Sequence, residues 1–293
     1  MIRDEFIAKD GKKISYVIWN DVENPKAVLQ IAHGMVEHVM RYDGFAKEMN
    51  RRGFVVAADD HRAHGKTDEK NLGYSEGDIW ENTLSDMSIL SDLLVDKYHL
   101  PVILLGHSYG SFLSQAYIRR YDRLSGAIIG GSNYLAGASV SVGKAVAGMG
   151  KLFKGEKKPA LFIKKLTFDA YNKKFPDGTF ISSIPEECER YERDELCNFV
   201  CSNNFYYNFF KGAKKLYKGG GVSLNGFPIL LIAGNSDPVG NMGKGVKKLE
   251  KWYKARGAKV SCKLYDGVRH EFLNDTSRED AINEIEKFCL SVI

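Results

Sequence analysis

The order of apolar and polar positions along the chain alternates between two periods. Short, mostly apolar runs rich in β-branched residues occupy 27–32, 54–58, 102–105, 127–129, 229–233 and 260–264. Between several of them lie stretches with apolar residues three and four apart, at 42–51, 79–98, 111–121, 243–256 and 278–290. Strands without a polar face need cover on both sides, and intervening helices supply it. The pattern therefore predicts an α/β fold with a mostly parallel sheet between helical layers. Residues 6–8 and 14–19 flank Asp-Gly at 10–11, a pair that favours a tight hairpin, and predict an antiparallel entry into the sheet. The rhythm stops between about 133 and 225, where helical, aromatic and charged residues dominate, and resumes near Phe227. We read 1–132 and 226–293 as one core and 133–225 as a helical cap inserted over the strand ends, the kind of insertion on which function is built.

Composition narrows the class. With 293 residues, 44% of them apolar and 27% charged, the chain is long enough for a large core and too ordinary for a disordered or repetitive polymer. No apolar run approaches the ~20 residues of a membrane span. The opening MIRDEFIAKD carries charge ahead of any apolar segment, unlike a secretory signal. A net charge of +5 without a dense basic stripe argues against a nucleic-acid partner. The cysteines, Cys188, Cys197, Cys201, Cys262 and Cys289, are odd in number and form no CxxC. They read as reduced thiols of a cytoplasmic protein, with no disulfide framework and no metal site.

The sharpest chemical signal is Gly106-His107-Ser108-Tyr109-Gly110, placed between an apolar strand and a helical pattern. GxSxG in that setting is a nucleophile elbow: the glycines let strand and helix approach closely, and the serine hydroxyl projects beyond the strand end. Such a serine needs a base and an orienting acid, in the chain order Ser, acid, His. His270 is the one histidine after Ser108, on the loop following the 260–264 strand. Asp237, on the loop after 229–233, is the preferred acid. Asp266 competes but lies only four residues before His270. An oxyanion needs two backbone donors; the Tyr109 amide is one, and Met35, on the loop after 27–32, supplies the other.

Together, His33-Gly34-Met35-Val36-Glu37-His38 with Arg41-Tyr42, Asp60-His61-Arg62-Ala63-His64-Gly65, GHSYG, SDPVG and RHEFLND resemble the monoacylglycerol lipase and lysophospholipase branch of the α/β-hydrolases, a serine aminopeptidase-like family. The resemblance runs from about Ala27 to the end and includes RDELCNFVCS in the cap. It implies an α/β-hydrolase fold and a serine esterase acting on monoacylglycerols or lysophospholipids, without a cofactor. Short-chain esters and an aminopeptidase-type activity are the alternatives. Three departures stand out: Ala63 where the family usually has Gly, Thr67 where Ser is commoner, and Phe180-Ile181-Ser182 where bacterial members often have Trp-Leu-Ser.

His33, Glu37, His38, Asp59, Asp60, His61 and His64 are metal-ligand types, but no HExxH is present, and His33, Gly34, Glu37, His38, Arg41, Asp60 and His64 read better as a hydrogen-bonded brace under the oxyanion loop. A catalytically silent binding scaffold would be expected to lose a triad member, and none is missing. The segment 140–158 is basic and amphipathic, a pattern that can make transient contact with a membrane surface, although four glycines weaken it as a helix. Phe205, Tyr206, Tyr207, Phe209 and Phe210 are candidates for an acyl channel. The acids Glu186, Glu187, Glu189, Glu192, Asp194 and Glu195 interleave with Arg190 and Arg193 and read as a solvated face. Oligomeric state is left open.

Overall fold

The computed structural model describes residues 1–219 and 221–293. Its frame is an eight-stranded sheet. β1 (Ile2–Ile7), β2 (Lys13–Trp19), β3 (Ala27–Ala32), β4 (Phe54–Asp59), β5 (Val102–His107), β6 (Leu124–Gly130), β7 (Pro228–Gly234) and β8 (Lys259–Tyr265) stand in the spatial order β1-β2-β4-β3-β5-β6-β7-β8. β1 and β2 are antiparallel, as is β2 to β4; every later pair is parallel. The hairpin expected at Asp-Gly forms, with Gly11 at φ +82° closing the turn through its N–H to Ala8 O.

The central strands are buried on both faces because period-2 alternation gives each face a core. Leu29 and Ile31 pack on one side with α1 (Asp43–Arg51) and α10 (Arg278–Ser291). Val28 and Ala32 pack on the other with α2 (Ile79–Tyr98), α3 (Tyr109–Tyr117) and α9 (Lys244–Lys254). The helix expected at 111–121 begins earlier and ends earlier: the elbow lets it start directly at Tyr109, and the chain turns out of it at Ile118.

Among the described residues five helices are inserted between β6 and β7: α4 (Ala138–Lys154), α5 (Leu161–Leu166), α6 (Phe168–Asn172), α7 (Pro185–Arg193) and α8 (Asn203–Ala213). Gly220, within the expected cap, lies outside the described residues. The glycines of α4 do not break it. A Cβ on Gly143 would come within 2.6 Å of the Phe210 ring, and one on Gly150 would strike the Asn203 side chain. Their missing side chains let α4 lie tightly on α8, and that packing offsets the low helix propensity.

Candidate active site

β5 ends at His107, and Ser108 turns the chain with φ 51° and ψ −117° before α3 begins. The flanking glycines are required by contact: a Cβ on Gly110 would strike the Ala32 carbonyl, and one on Gly106 would meet Ser114 Oγ. Ser108 N–H donates to Gly130 O at 3.0 Å, fixing the turn. His270 Nε2 lies 2.8 Å from Ser108 Oγ, and its Nδ1 lies 3.0 Å from Asp237 Oδ2. The second contact is a close ion pair set off the ideal hydrogen-bond direction, as is common before substrate tightens such a site. Asp237 is fully buried, and its Oδ1 accepts from Val239 N–H at 2.8 Å. The competitor Asp266 is exposed and accepts instead from Asn235 Nδ2.

Electrostatics favour a charged His270. Burial works against the imidazolium, but the Asp237 charge and contact, with Glu271 and Glu37 beyond it, outweigh burial and raise the pKa above the ordinary imidazole value. His107 is pushed the other way by burial and by His270 itself. It therefore stays neutral beside the pair, its ring 4.9 Å from that of His270.

The loop after β3 is built around Gly34. His33 Nδ1 is 2.7 Å from Gly34 O, and His33 Nε2 accepts from His61 N–H at 2.9 Å. The second bond leaves the ring proton on Nδ1, where it donates to the Gly34 carbonyl. Burial, with His61 and His64 nearby, holds the His33 pKa well below the usual range, consistent with a neutral ring. Gly34 N–H donates to Glu37 Oε1, which also accepts from Tyr42 OH at 2.9 Å. Among the described residues no oxygen accepts from the Met35 or Tyr109 amide, and both residues border the same cavity as Ser108 and His270.

The remaining brace residues divide. Arg41 joins Glu37 to Glu271, with its Nη2 2.8 Å from Glu271 Oε2. Asp60 accepts from Val39 and Lys66 N–H, both at 3.0 Å, and so ties the loop after β3 to the loop after β4. His64, its pKa pushed down to about 3 chiefly by burial, sits behind Tyr109 and against Phe205. His38 departs from the expected brace: its Nε2 reaches Asp194 Oδ2 in the cap at 2.8 Å. The donor atoms of His38, Asp194 and Cys197 lie within 4.8 Å of one another, and the facing atoms of the first two are already taken by that bond.

Above Ser108 a cavity of about 880 Å³, its open mouth included, is walled by Phe112, Leu135, Phe168, Tyr171, Phe180, Ile181, Tyr191, Tyr206, Phe209 and Phe210. Of the expected aromatic run, Tyr206, Phe209 and Phe210 face it. Phe205 packs behind Tyr109, and Tyr207 lies under Lys144 and Lys151. Sequence reasoning missed Glu271 and the cap residues Phe168, Tyr171 and Tyr191. Glu271 stands next to His270, but its burial and its pairing with Arg41 are not visible in the local sequence, and the cap residues carry no local signal. The cap also holds the histidine loop: His270 N–H donates to Phe180 O and Glu271 N–H to Ile181 O, at 3.2 and 2.9 Å.

Residues 23–277 match the family described as serine aminopeptidase, S33. The chain belongs to that family. Within the S33 family the chain resembles the monoacylglycerol lipase of Mycolicibacterium smegmatis, with 25% identity over 98% of this chain and 96% of the relative. Among solved structures it resembles a thermostable carboxyl esterase from Bacillus coagulans bound to glycerol, with a TM-score of 0.86, 29% identity, and 99% and 98% of the two chains covered. A lipase in an open form aligns with a TM-score of 0.83 at 28% identity over the same shares. This S33 member thus has the α/β-hydrolase fold with an inserted helical cap, a serine-hydrolase-type scaffold consistent with ester hydrolysis. Among its described residues no helix is long and apolar enough to cross a membrane.

Proposed function

We propose that the protein is a serine carboxylic-ester hydrolase that works through an acyl-enzyme on monoacylglycerols or lysophospholipids. The observation that carries this reading is the line Ser108–His270–Asp237 opening into an apolar, aromatic cavity beside two unspent amides. His270 Nε2 takes the Ser108 proton as Oγ attacks the ester carbonyl. Asp237 stabilises the imidazolium and holds its Nδ1–H. The Met35 and Tyr109 amides receive the oxyanion, each worth roughly 3–4 kcal/mol in comparable sites. His270 then gives its proton to the leaving alcohol and activates the water that releases the acid.

The apolar walls and the likeness to a monoacylglycerol lipase support a lipid acyl chain. An aminopeptidase-type substrate would need a free carboxylate for its α-amino group. The two glutamates bordering the cavity, Glu37 and Glu271, are both engaged by Arg41. Glu186, Glu189, Glu192 and Glu195 in the cap are exposed to solvent. The test is turnover of p-nitrophenyl esters from acetate to palmitate, with a monoacylglycerol beside them. Rates should rise with chain length and extend to the monoacylglycerol, and Ser108→Ala should lose about 10⁶-fold in kcat. Ser108-dependent turnover confined to acetate and butyrate would move the substrate to small esters. Activity that survives Ser108→Ala would overturn the mechanism.

A further inference from the structure

The junction between the cap and the loop after β3 holds three side chains of metal-ligand type that the proposed mechanism does not use. One donor atom from each of His38, Asp194 and Cys197 lies within 4.8 Å of the other two. A tight turn builds this meeting. Asp194 closes α7; its Oδ1 accepts from Leu196 N–H at 2.9 Å and its carbonyl from Cys197 N–H at 3.0 Å. With Oδ1 committed to the turn, Oδ2 faces His38 Nε2, 2.8 Å away. Asn198, at φ +53°, carries the chain onto the same loop, where its N–H donates to Val36 O at 3.1 Å. His38 and the free thiol Cys197 are buried, whereas the Asp194 side chain is 31% exposed, so solvent reaches the cluster through it. No local motif announces the cluster, since His38 and Asp194 stand 156 positions apart and the cysteines form no CxxC.

One nitrogen, one oxygen and one sulfur suit a zinc-class cation and not calcium or magnesium, which take oxygen ligands. Around zinc, bonds of about 2.0–2.3 Å set the donors of a tetrahedron roughly 3.3–3.6 Å apart. His38 and Asp194 need to part by about 0.5 Å, with the cation in place of the proton they share, and the Cys197 sulfur needs to approach by at most about 1.2 Å. The Nε2 proton passes to Nδ1 of the same ring, the thiol proton leaves to solvent, and water takes the fourth position on the exposed side. Charge does not oppose this. Arg41, whose field reaches Cys197, is already balanced by Glu37 and Glu271. Asp194 is the carboxylate left to meet an incoming cation.

We propose that His38, Asp194 and Cys197 form a binding site for a zinc-class divalent cation, which fastens the end of α7 to the loop after β3. The site uses none of Ser108, Asp237 and His270, so it stands apart from the hydrolase reading. The test is titration of the reduced full chain with Cd²⁺, followed by the ultraviolet thiolate-to-metal charge-transfer band, and with Zn²⁺, followed by thermal unfolding. One equivalent of Cd²⁺ should produce the band, and Cys197→Ser should abolish it. His38→Gln and Asp194→Asn should each weaken binding at least about tenfold. Cys188→Ser and Cys262→Ser should leave the band intact. Zn²⁺ should raise the Tm of the unaltered chain and not that of Cys197→Ser. If His38→Gln does not fold, Asp194→Asn, at a partly exposed side chain, decides. A band that never forms, or that survives Cys197→Ser, would overturn the proposal. So would binding indifferent to His38→Gln and Asp194→Asn, which would reduce the site to a lone thiol, or a Zn²⁺ effect shared by every variant, the mark of an adventitious ion only.

Discussion

At Gly34 two hydrogen bonds decide where the next amide points. Its carbonyl is held by His33 and its N–H by Glu37. The peptide to Met35 is trans, so tying down the carbonyl turns the Met35 N–H to the opposite side. His33 is thus a positioning residue for a donor it does not itself supply. Asp237 acts on His270 through charge. His270 serves as a base only when neutral, and its raised pKa means that activity should fall as pH drops through a value above the ordinary imidazole range. Asp237→Asn removes the largest raising influence. We expect a loss of about 10⁴-fold in kcat and an acid limb moved to lower pH. A kcat/KM profile against pH checks both, and an unmoved limb would contradict the electrostatic role. The Ser108, Asp237 and His270 positions were legible from motif and chain order alone. Glu271 was not, because its significance depends on Arg41, 230 positions away in the chain.

Among the elements, the strands were the easiest to read. β3 runs over the residues its apolar stretch marked, with Gln30 as its one polar position, buried, donating to Met87 O and accepting from Ser91 Oγ. α2 likewise matches its expected span, with Asp78 capping its start by accepting from Glu81 N–H. The cap was opaque beyond its existence. α5 and α6 are short, and α5 leaves Leu161, Phe162 and Leu166 exposed while α6 turns Phe168 and Tyr171 to the cavity, so no common amphipathic stripe runs through the two. Glycines in its helices misled for the same reason, since their value lies in what packs against them. Gly212 on α8 is the sharpest case: a Cβ there would strike the Trp80 indole of α2. Alanine is favoured over glycine in a helix by about 1 kcal/mol. Overpacking against a fully buried ring should exceed that gain, so Gly212→Ala is expected to destabilise by a net ~1–2 kcal/mol. Urea unfolding measures it, and a stabilised variant would show that Trp80 gives way freely.

At the scale of the whole molecule, Arg41 is where three parts of the chain meet. It binds Glu37 of the loop after β3 and Glu271 of the loop after β8, and its guanidinium carbon lies 4.9 Å from the centre of the Tyr191 ring on α7. Burial raises Glu37 above the usual carboxylate range despite the opposing pull of Arg41. Arg41→Ala would strand two buried carboxylates, and we expect a loss of about 3–5 kcal/mol in unfolding free energy. Arg41→Lys should not restore it, because an ammonium cannot hold Glu271 with two parallel bonds. Denaturant unfolding of the two variants decides this, and a well-tolerated Arg41→Lys would refute the clamp. The backbone bonds from His270 and Glu271 to Phe180 and Ile181 reach further, into descent. A cap that only covered a pocket could be exchanged between lineages as a module, its contents free to drift. Here the cap backbone holds the loop that carries His270, the base of the proposed mechanism, so recombination that imports a foreign cap must bring the 180–181 backbone in register, and new specificities are expected to arise by substitution within the inherited cap.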